Sequence, residues 1–428
     1  MTDNTTITHV HGRRVWDSRG RPTVEAEVRL AGGAVGRAIA PAGASTGSGE
    51  AVDLRDGGTR LGGMDVMRAV SAVSEIATAL RERDAADQAG VDAAMIARDG
   101  SGNKGRLGGN AIVAVSMAVA HAAAAAHAVP LWHWLSGGMP GRLPLPEIQI
   151  FGGGAHAAKR VDVQDFMIMC PGARSFAQAL DMTAEVYRAA GALLSERGLL
   201  QGVADEGGYW PAFASNEEAL EALVRAIERA GFTPGDEVAI SLDIAASSFG
   251  KNGRYRLALD GRELDTDGLL EMLERWVARY PIVSIEDPVA EDDPQGFSRF
   301  TAAVGDRVQV IGDDFLVTNA ARVREAAGAR QVTAVLIKPN QAGTLTETKA
   351  ALDAARAENL AGIVSARSGE TEDVTIVHLA VGWDAGQLKV GSFARSERMA
   401  KWNEALRIEE ALGAAARFAG ISALGLRA

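Results

Sequence analysis

Cysteine is nearly absent from this sequence, since Cys170 is the only one in 428 residues. A single cysteine excludes an internal disulfide framework and is typical of proteins in a reducing cytosol. Basic residues are outnumbered by acidic ones, which gives a formal net charge of -11 and no basic stripe that would indicate a nucleic-acid partner. The first residues, MTDNTTITHV, lack the basic and then apolar layout of a signal peptide. We therefore expect a cytoplasmic protein that binds no nucleic acid.

Long apolar runs are scarce, and the longest extends from Ala111 to Trp132 (AIVAVSMAVAHAAAAAHAVPLW). Its apolar character comes mostly from alanine, which contributes little free energy of transfer into a bilayer, and it contains His121 and His127. A buried helix explains such a run better than a membrane span does, so we expect no membrane association.

The sequence divides at a segment rich in Gly and Pro, from Gly137 to Pro146 (GGMPGRLPLP). We predict an N-terminal α+β domain over residues 1–138, in which TVEAEVRL and AVGRAIA form two strands around the turn AGG. Over residues 139–428, short apolar runs alternate with helical patterns, and the chain lacks a Gly-rich dinucleotide-binding turn. This alternation predicts a parallel barrel in the C-terminal domain rather than a doubly wound sheet.

Charged residues stand at the ends of the predicted barrel strands, namely Asp243, Glu286, Asp287, Asp313, Asp314, Lys338, Arg367 and Lys389. A strand-end carboxylate is often only a helix N-cap or a solvated loop residue, and that alternative stays open for each one taken singly. It does not explain the whole set, because the carboxyl ends of barrel strands converge on one mouth, where active sites lie.

Three convergent carboxylates require a hard cation, and ligands that are all oxygen favour Mg2+ over zinc or copper. We therefore predict that Asp313, at the end of VQVIGDD, is a metal ligand. A lysine beside a divalent cation has a lowered pKa and can act as a general base near neutral pH, which is the role predicted for Lys338. Together these groups indicate proton abstraction next to a carboxylate, with the metal stabilising the enolate that forms.

Ordered stretches along nearly the whole chain resemble the enolase (phosphopyruvate hydratase) family: WDSRGRPTVEAEV, PAGASTGSGEAVDLRD, DEGGYWP, SLDIAAS, SIEDP, GDDFLVTN, IKPNQAGTLTET, RSGETED and RSERMAKWNEALRIEEAL. The resemblance implies an α/β fold, an enolase-type modified (β/α)8 TIM barrel with an N-terminal α+β capping domain. A mandelate-racemase-like member of the wider superfamily would lack the GASTG and SGETED elements.

The resemblance also implies a role for each matching residue. The metal ligands are Asp243, Glu286 and Asp313. Lys338 matches the base that removes the C2 proton of 2-phosphoglycerate, and Glu206 matches the carboxyl group that assists departure of the 3-hydroxyl. Further catalytic positions are His156, in the mobile loop after the first barrel strand, and Asp165. The substrate-binding positions are Lys389 for the carboxylate, Arg367 and Ser368 for the phosphate, and the lid serine Ser45.

The sequence departs from the enolase pattern in three motifs of the pocket. Where enolases read NGGSHAGN, QEFM and SHRSGETED, this chain reads GGGAHAAK, QDFM and SARSGETED. Gly152 and Ala155 thus replace Asn and Ser, Asp165 replaces Glu, and Ala366 replaces His. The metal ligands, the base and the Arg–Ser pair remain. We expect the replaced side chains to leave more open volume around the leaving hydroxyl and at the far side of the phosphate.

This selective loss favours a specialised relative, carboxyphosphonoenolpyruvate synthase of phosphonate antibiotic pathways, whose product carries an added carboxyl group on phosphorus. Phosphopyruvate hydratase and a catalytically dead enolase with a binding role remain open as alternatives. The expected substrate is a small phospho- or phosphono-carboxylate, with one Mg2+ site and a second left open in the presence of substrate. The resemblance further implies a homodimer, in which Glu25 lies opposite Arg407 of the other subunit.

Overall fold

The structure is a computed structural model and describes residues 4–44, 46–139 and 141–426. Ser45, expected to be a lid residue, lies outside the described residues. The N-terminal part contains strands β1 (Ile7–Trp16), β2 (Pro22–Leu30) and β3 (Val35–Ile39) and helices α1 (Met67–Leu80), α2 (Gln88–Asp99), α3 (Gly109–Ala126) and α4 (Leu131–Leu135).

The three N-terminal strands form an antiparallel sheet in the order β1-β2-β3. The two strands predicted around the AGG turn are β2 and β3, whereas β1 was not expected because its polar and charged residues do not alternate with apolar ones. Helix α3 is the alanine-rich run and packs on this sheet. A Cβ on Gly36 would lie 2.1 Å from the carbonyl oxygen of Ala118, so glycine in β3 allows the helix to come this close.

Among the described residues, α3 is the one helix long and apolar enough to cross a membrane, and 83% of it is buried inside the protein. It therefore serves as the central helix of the N-terminal part, as the alanine content predicts.

The C-terminal part begins after the Gly- and Pro-rich segment, which lies between α4 and the first barrel strand. Its strands are β4 (Leu145–Gly152), β5 (Asp165–Met169), β6 (Leu200–Val203), β7 (Tyr209–Pro211), β8 (Ala239–Asp243), β9 (Gly250–Lys251), β10 (Arg254–Leu257), β11 (Arg262–Asp265), β12 (Ile282–Glu286), β13 (Gln309–Gly312), β14 (Ala334–Ile337), β15 (Ala361–Ser365) and β16 (Gly386–Ser392). Its helices are α5 (Phe176–Glu196), α6 (Asn216–Arg229), α7 (Thr266–Arg279), α8 (Pro294–Val304), α9 (Ala320–Gly328), α10 (Pro339–Ala342), α11 (Leu345–Ala357), α12 (Thr375–Gly382) and α13 (Ser396–Leu412).

Eight of these strands close into a barrel in the order β4-β5-β8-β12-β13-β14-β15-β16, since β16 pairs with β4. The prediction of a parallel barrel needs one correction, because β5 runs antiparallel to both of its neighbours. The chain between β4 and β5 contains only a short 3-10 turn (Gly154–Ala157) and no crossover helix, so it returns in the opposite direction. As a result, the first residue of β5, Asp165, lies at the same mouth as the last residues of the parallel strands.

The N-terminal part docks on that mouth. Ala42 and Gly369 exchange two backbone hydrogen bonds of 2.9 Å, which join the start of the 43–50 lid segment to the loop after β15. The opposite end of the barrel is closed by the C-terminal 3-10 turn (Gly420–Leu424), whose Ala423 and Leu424 pack on Leu145 and Met169.

Candidate active site

The charged residues predicted from the strand ends meet at the barrel mouth. Asp243 and Glu286 are the last residues of β8 and β12, and Asp313 and Lys338 directly follow β13 and β14. Lys389, by contrast, lies in the middle of β16 rather than at its end. Four of the predicted residues, Asp243, Lys338, Arg367 and Lys389, line one pocket, and the other residues that line it are Gly43, Ala44, His156, Gln164, Asp165, Glu206, Ser365, Ala366, Ser368 and Val390.

Lys389 is the counter-ion of two predicted metal ligands. Its Nζ atom lies 3.0 Å from Oδ2 of Asp243 and 2.7 Å from Oε2 of Glu286, with Oδ2 of Asp165 3.8 Å away. Burial acts to lower the pKa of Lys389, but the three carboxylates outweigh it and raise the pKa well above its ordinary value. Lys389 therefore carries a permanent positive charge at the centre of the mouth.

Lys338 makes a short ion pair with Asp313, which also accepts a 2.9 Å hydrogen bond from Nε2 of Gln341. Burial acts to lower the pKa of Lys338, and Asp313 and Glu286 overcome this and raise it. This direction is the reverse of the lowering expected beside a divalent cation, because the nearest charge here is a carboxylate that favours the ammonium form.

The acidic side of the mouth fits a hard cation. The buried acceptor atoms without a hydrogen-bond partner among the described residues include Gln164 Oε1, Asp165 Oδ2 and Glu286 Oε1. Burial and the neighbouring Asp243 carboxylate raise the pKa of Glu286 well above its ordinary value. The nearby lysines therefore compensate only part of the negative charge of these carboxylates. Buried oxygen acceptors and excess negative charge are the features that Mg2+ binding satisfies.

The carboxylates do not all lie equally close to one another. Two groups each offer three ligand atoms within 4.8 Å: Asp287, Asp313 and Asp314, and separately His156, Asp165 and Glu206. The predicted trio of Asp243, Glu286 and Asp313 is not one of these groups among the described residues: Lys389 pairs with Asp243 and Glu286, whereas Asp313 pairs with Lys338. That trio as the ligand set therefore stays a prediction.

Asp287 has a structural role in this region. Its two carboxylate oxygens accept hydrogen bonds of 2.9 Å from the backbone N–H groups of Asp313 and Asp314. It thereby fixes the turn after β13 and the position of the Asp313 carboxylate. Burial and the neighbouring Asp314 and Asp313 carboxylates raise the pKa of Asp287 well above its ordinary value.

His156 bridges two acids on the other side of the mouth. Its Nδ1 lies 3.0 Å from Oδ1 of Asp165, and its Nε2 lies 3.6 Å from Oε1 of Glu206. Burial acts to lower the pKa of His156, but Glu206 and Asp165 raise it to about 9. The predicted catalytic residues His156, Asp165 and Glu206 are thus brought together as one buried acid group, held by a hydrogen bond to Asp165 and an ion pair with Glu206.

The two parts of the chain match the two domain models of one protein family. Residues 7–135 match the family model described as enolase, N-terminal domain, and residues 141–425 match the one described as enolase, C-terminal TIM barrel domain. The chain belongs to the enolase family. Its barrel-mouth acids and lysines are accordingly the candidate catalytic groups of an enolase-superfamily enzyme of the lyase type.

Two of the departures from the enolase pattern differ from their expected effect. A Cβ on Gly152 would lie 2.5 Å from the Cβ of Ala204, so the space that a larger side chain would need is already taken by the 204–208 loop. Asp165 has not withdrawn from the site either, since it accepts hydrogen bonds from Gln149 and His156. Of the departures, Ala366 is the one whose smaller side chain lines the pocket, next to Arg367.

Arg367 and Ser368, which are predicted to bind an anion, both line the pocket. The Arg367 guanidinium donates to both carboxylate oxygens of Glu50, at 3.0 and 3.3 Å, and to Oδ1 of Asn340 at 3.0 Å. Gln341 links Glu50 to Asp313, at 3.4 and 2.9 Å, so the anion end and the acidic side share one network.

Sequence reasoning missed three polar residues of this network, Glu50, Asn340 and Gln341. Each lies inside a stretch that resembles enolases (GSGEA or KPNQAG), and that resemblance was the only available signal. None of them ends an apolar run. Glu50 contacts Arg367 of the barrel only because the N-terminal part docks on the mouth.

Proposed function

We propose that this chain is a Mg2+-dependent enolase-family enzyme that forms a phosphoenolpyruvate-like product through an enolate, and that this product is carboxyphosphonoenolpyruvate. The observation that carries the proposal is the arrangement of one pocket. Lys338 lines it together with the His156–Glu206 pair, and Arg367, Ser368 and Lys389 supply the positive charge and the donors for an anionic substrate.

The reaction is the loss of water from a 3-hydroxy acid. Lys338, once neutral, accepts the C2 proton, and the bonding electrons move into the substrate carboxylate to give the enolate. The enolate electrons then form a C2–C3 double bond while the 3-hydroxyl leaves as water, with the proton that it needs supplied by the His156–Glu206 pair. Lys389 stabilises the charge on the carboxylate throughout.

Asp243, Glu286 and Asp313 are the residues that would hold Mg2+. When bound, the ion supplies positive charge that stabilises the enolate and lowers the pKa of the neighbouring lysine. The buried, unpartnered Oε1 of Glu286 supports this assignment.

The choice of product rests on Ala366. A methyl group in place of an imidazole leaves room beside Arg367 for a substituent on phosphorus, and two cations remain nearby to bind its charge. The substrate would then be the 3-hydroxy acid whose C2 oxygen bears a carboxyphosphonyl group. It carries three anionic centres, for which Arg367, Ser368 and Lys389 are the partners.

Phosphopyruvate hydratase is the second candidate, and one observation favours it. The residues predicted to serve as the base, the acid group and the anion-binding pair in the conversion of 2-phosphoglycerate all line one pocket. A catalytically dead enolase is disfavoured, because Lys338 and each predicted metal ligand are retained at the mouth.

The test is a comparison of two substrates with the purified protein and saturating MgCl2. The carboxyphosphonyl analogue of 2-phosphoglycerate should be dehydrated, with release of water and formation of a C2–C3 double bond, at a higher kcat/KM than 2-phosphoglycerate. Preference for 2-phosphoglycerate, with no binding of the analogue, would establish phosphopyruvate hydratase instead. Inactivity with both, together with retained Mg2+ binding, would favour a non-catalytic role.

A further inference from the structure

Arg19, in the turn between β1 and β2, is an N-terminal arginine that reaches the anion end of the barrel. Its side chain is only 7% exposed and is held by Asp17, with Nε and Nη2 lying 3.3 and 3.1 Å from Oδ2. Nη2 also donates to the carbonyl oxygen of Ala42 at 2.9 Å, and Nη1 donates to Oγ of Ser368 at 3.4 Å. The guanidinium of Arg19 therefore donates both to Ala42, at the start of the 43–50 segment, and to Ser368, the serine predicted to bind an anion.

The loop that carries Ser368 is built to receive this arginine. A Cβ on Gly369 would lie 2.3 Å from Nη2 of Arg19 and 2.4 Å from Oδ2 of Asp17, so only glycine permits the contact. The carbonyl oxygen of Ser368 accepts hydrogen bonds from Ser18 and from the fully buried Arg398. With its backbone fixed in this way, the main freedom left to Ser368 is the direction of its hydroxyl hydrogen.

The chemistry of the two groups determines that direction. A guanidinium has only donors, so Arg19 must donate to Oγ of Ser368, and the serine hydrogen has to seek a different acceptor. Ser368 lines the pocket, where an anionic ligand offers such acceptors. A cation behind the oxygen also polarises the hydroxyl and strengthens the bond that it donates.

We propose that Arg19 is a positioning residue for the anion end, which directs the Ser368 hydroxyl towards the ligand and determines its strength as a donor. The inference rests on the proposed function in one respect, that the anion facing Ser368 is a phosphoryl or carboxyphosphonyl group. Arg19 acts through Ser368, so its effect on anion binding should exist only while the serine hydroxyl is present.

A double-mutant cycle tests this dependence. The affinities of wild type, Arg19→Gln, Ser368→Ala and the double variant for phosphate and for phosphonoformate are measured by calorimetry with MgCl2 in excess. Each single variant should bind about tenfold more weakly, as expected for the loss of a hydrogen bond to a charged group. The double variant should bind no more weakly than Ser368→Ala alone. Losses that multiply in the double variant would overturn the inference.

Arg21→Gln is the matched control, because Arg21 belongs to the same turn and is exposed, and its affinity should equal that of wild type. Arg19→Lys keeps the charge but not the two-pronged donor geometry, so it should restore part of the affinity. Thermal unfolding of each variant detects loss of the fold, and if Arg19→Gln does not fold, the cycle is run with Arg19→Lys. Failure of wild type to bind either anion would overturn this inference together with the anion end of the proposed function, whereas multiplied losses with normal wild-type binding would overturn this inference alone.

Discussion

The Nζ atom of Lys389 lies 2.7 Å from Oε2 of Glu286, and the two residues come from β16 and β12, which stand opposite each other in the eight-stranded barrel. This ion pair therefore spans the mouth. It forms because a buried carboxylate needs a positive partner, and Lys389 is the cation within reach. A divalent ion bound at Glu286 has to share that carboxylate with the lysine, which makes Glu286 the most direct test of the metal site.

We expect Glu286→Gln to weaken Mg2+ binding, because the variant removes the charge of a ligand. Loss of a residue that only supports a ligand lowers metal affinity by roughly 10–100-fold, and loss of the ligand charge should cost at least as much. Calorimetric titration with MgCl2 measures the effect, and Glu325→Gln on the exposed face of α9 is the control. Asp314→Asn distinguishes the two carboxylate groups. If it abolishes Mg2+ binding while Glu286→Gln does not, the ion is held by Asp287, Asp313 and Asp314 instead.

Lys338→Ala should slow exchange of the substrate α-proton with solvent by about 10²–10⁴-fold, the contribution of a general base. Mg2+ binding should be retained, because the variant frees Asp313 from its lysine partner. Proton exchange in deuterated water, followed by NMR, measures the step without requiring loss of the hydroxyl. Lys349→Ala, on the exposed side of α11, should exchange at the wild-type rate. Unaltered exchange in Lys338→Ala would remove this residue from the mechanism.

Glu27 on β2 should make stability depend on pH. Hydrogen bonds from Arg13, Arg29 and Arg37 lower its pKa from 4.5 to about 2. Because the folded state favours the ionised carboxylate, its contribution is complete above pH 4.5 or so and disappears as the pH falls towards 2. Urea unfolding should therefore show Glu27→Gln to be less stable than wild type at pH 7, with a difference that shrinks below pH 4.5.

The control for this pH dependence is Glu263→Gln, at an exposed position of β11. Its difference from wild type should be small and should not change with pH in the same range. A constant deficit of Glu27→Gln from pH 7 to pH 3 would show that the carboxylate acts through packing rather than through its charge.

The parallel barrel strands could be predicted from the sequence because their signal is local. Each is a short apolar run buried on both faces, and a charge at its end, such as Glu286 or Lys338, marks the mouth. The reversed strand β5 could not be predicted in this way, since DFMIM has the same apolar pattern in either direction. Its direction depends on the missing crossover helix, and with it the position of Asp165 at the mouth.

The contacts between the N-terminal domain and the barrel could not be predicted from the sequence for a different reason. Arg19 and Glu50 meet Ser368 and Arg367 across more than 300 residues of chain, through contacts that exist only after the domain has docked. The effect of Gly152 could not be predicted either. The sequence shows a lost side chain, but whether a cavity remains depends on the neighbouring loop, and here Ala204 fills it.

The homodimer stays a prediction, and the exposure of Arg407 is compatible with its place at a subunit interface. Its side chain is 65% exposed and bonded only to Glu404 of its own helix, at 2.8 Å, among the described contacts. Glu25, its expected partner across the interface, already pairs with Arg13. Arg407→Glu should raise the dimer dissociation constant by about a hundredfold or more, because two-fold symmetry repeats each like-charge contact. Sedimentation velocity measures this constant, and Arg188→Glu on α5 is the control; a wild-type monomer at micromolar concentration would refute the dimer.

Ala366 is the residue that we expect to determine substrate choice. Its backbone N–H donates to the carbonyl oxygen of Lys389 at 2.9 Å, so the end of β15 is fixed and a new side chain must project into the pocket beside Arg367. In Ala366→His an imidazole would occupy the room that we assign to the carboxyl group on phosphorus. It would also supply a donor to a phosphate of ordinary size.

Ala366→His should therefore lower kcat/KM for the carboxyphosphonyl substrate by at least about tenfold and raise it for 2-phosphoglycerate by about tenfold, the value of one hydrogen bond to a charged group. The ratio of the two constants is the decisive quantity, because a general disturbance of the fold lowers both and leaves the ratio unchanged. Ala357→His, at an exposed position at the end of α11, should change neither constant. A ratio in Ala366→His equal to that of wild type would mean that the pocket wall at this position does not distinguish the substrates, and the choice would then have to lie with the acid group of His156, Asp165 and Glu206.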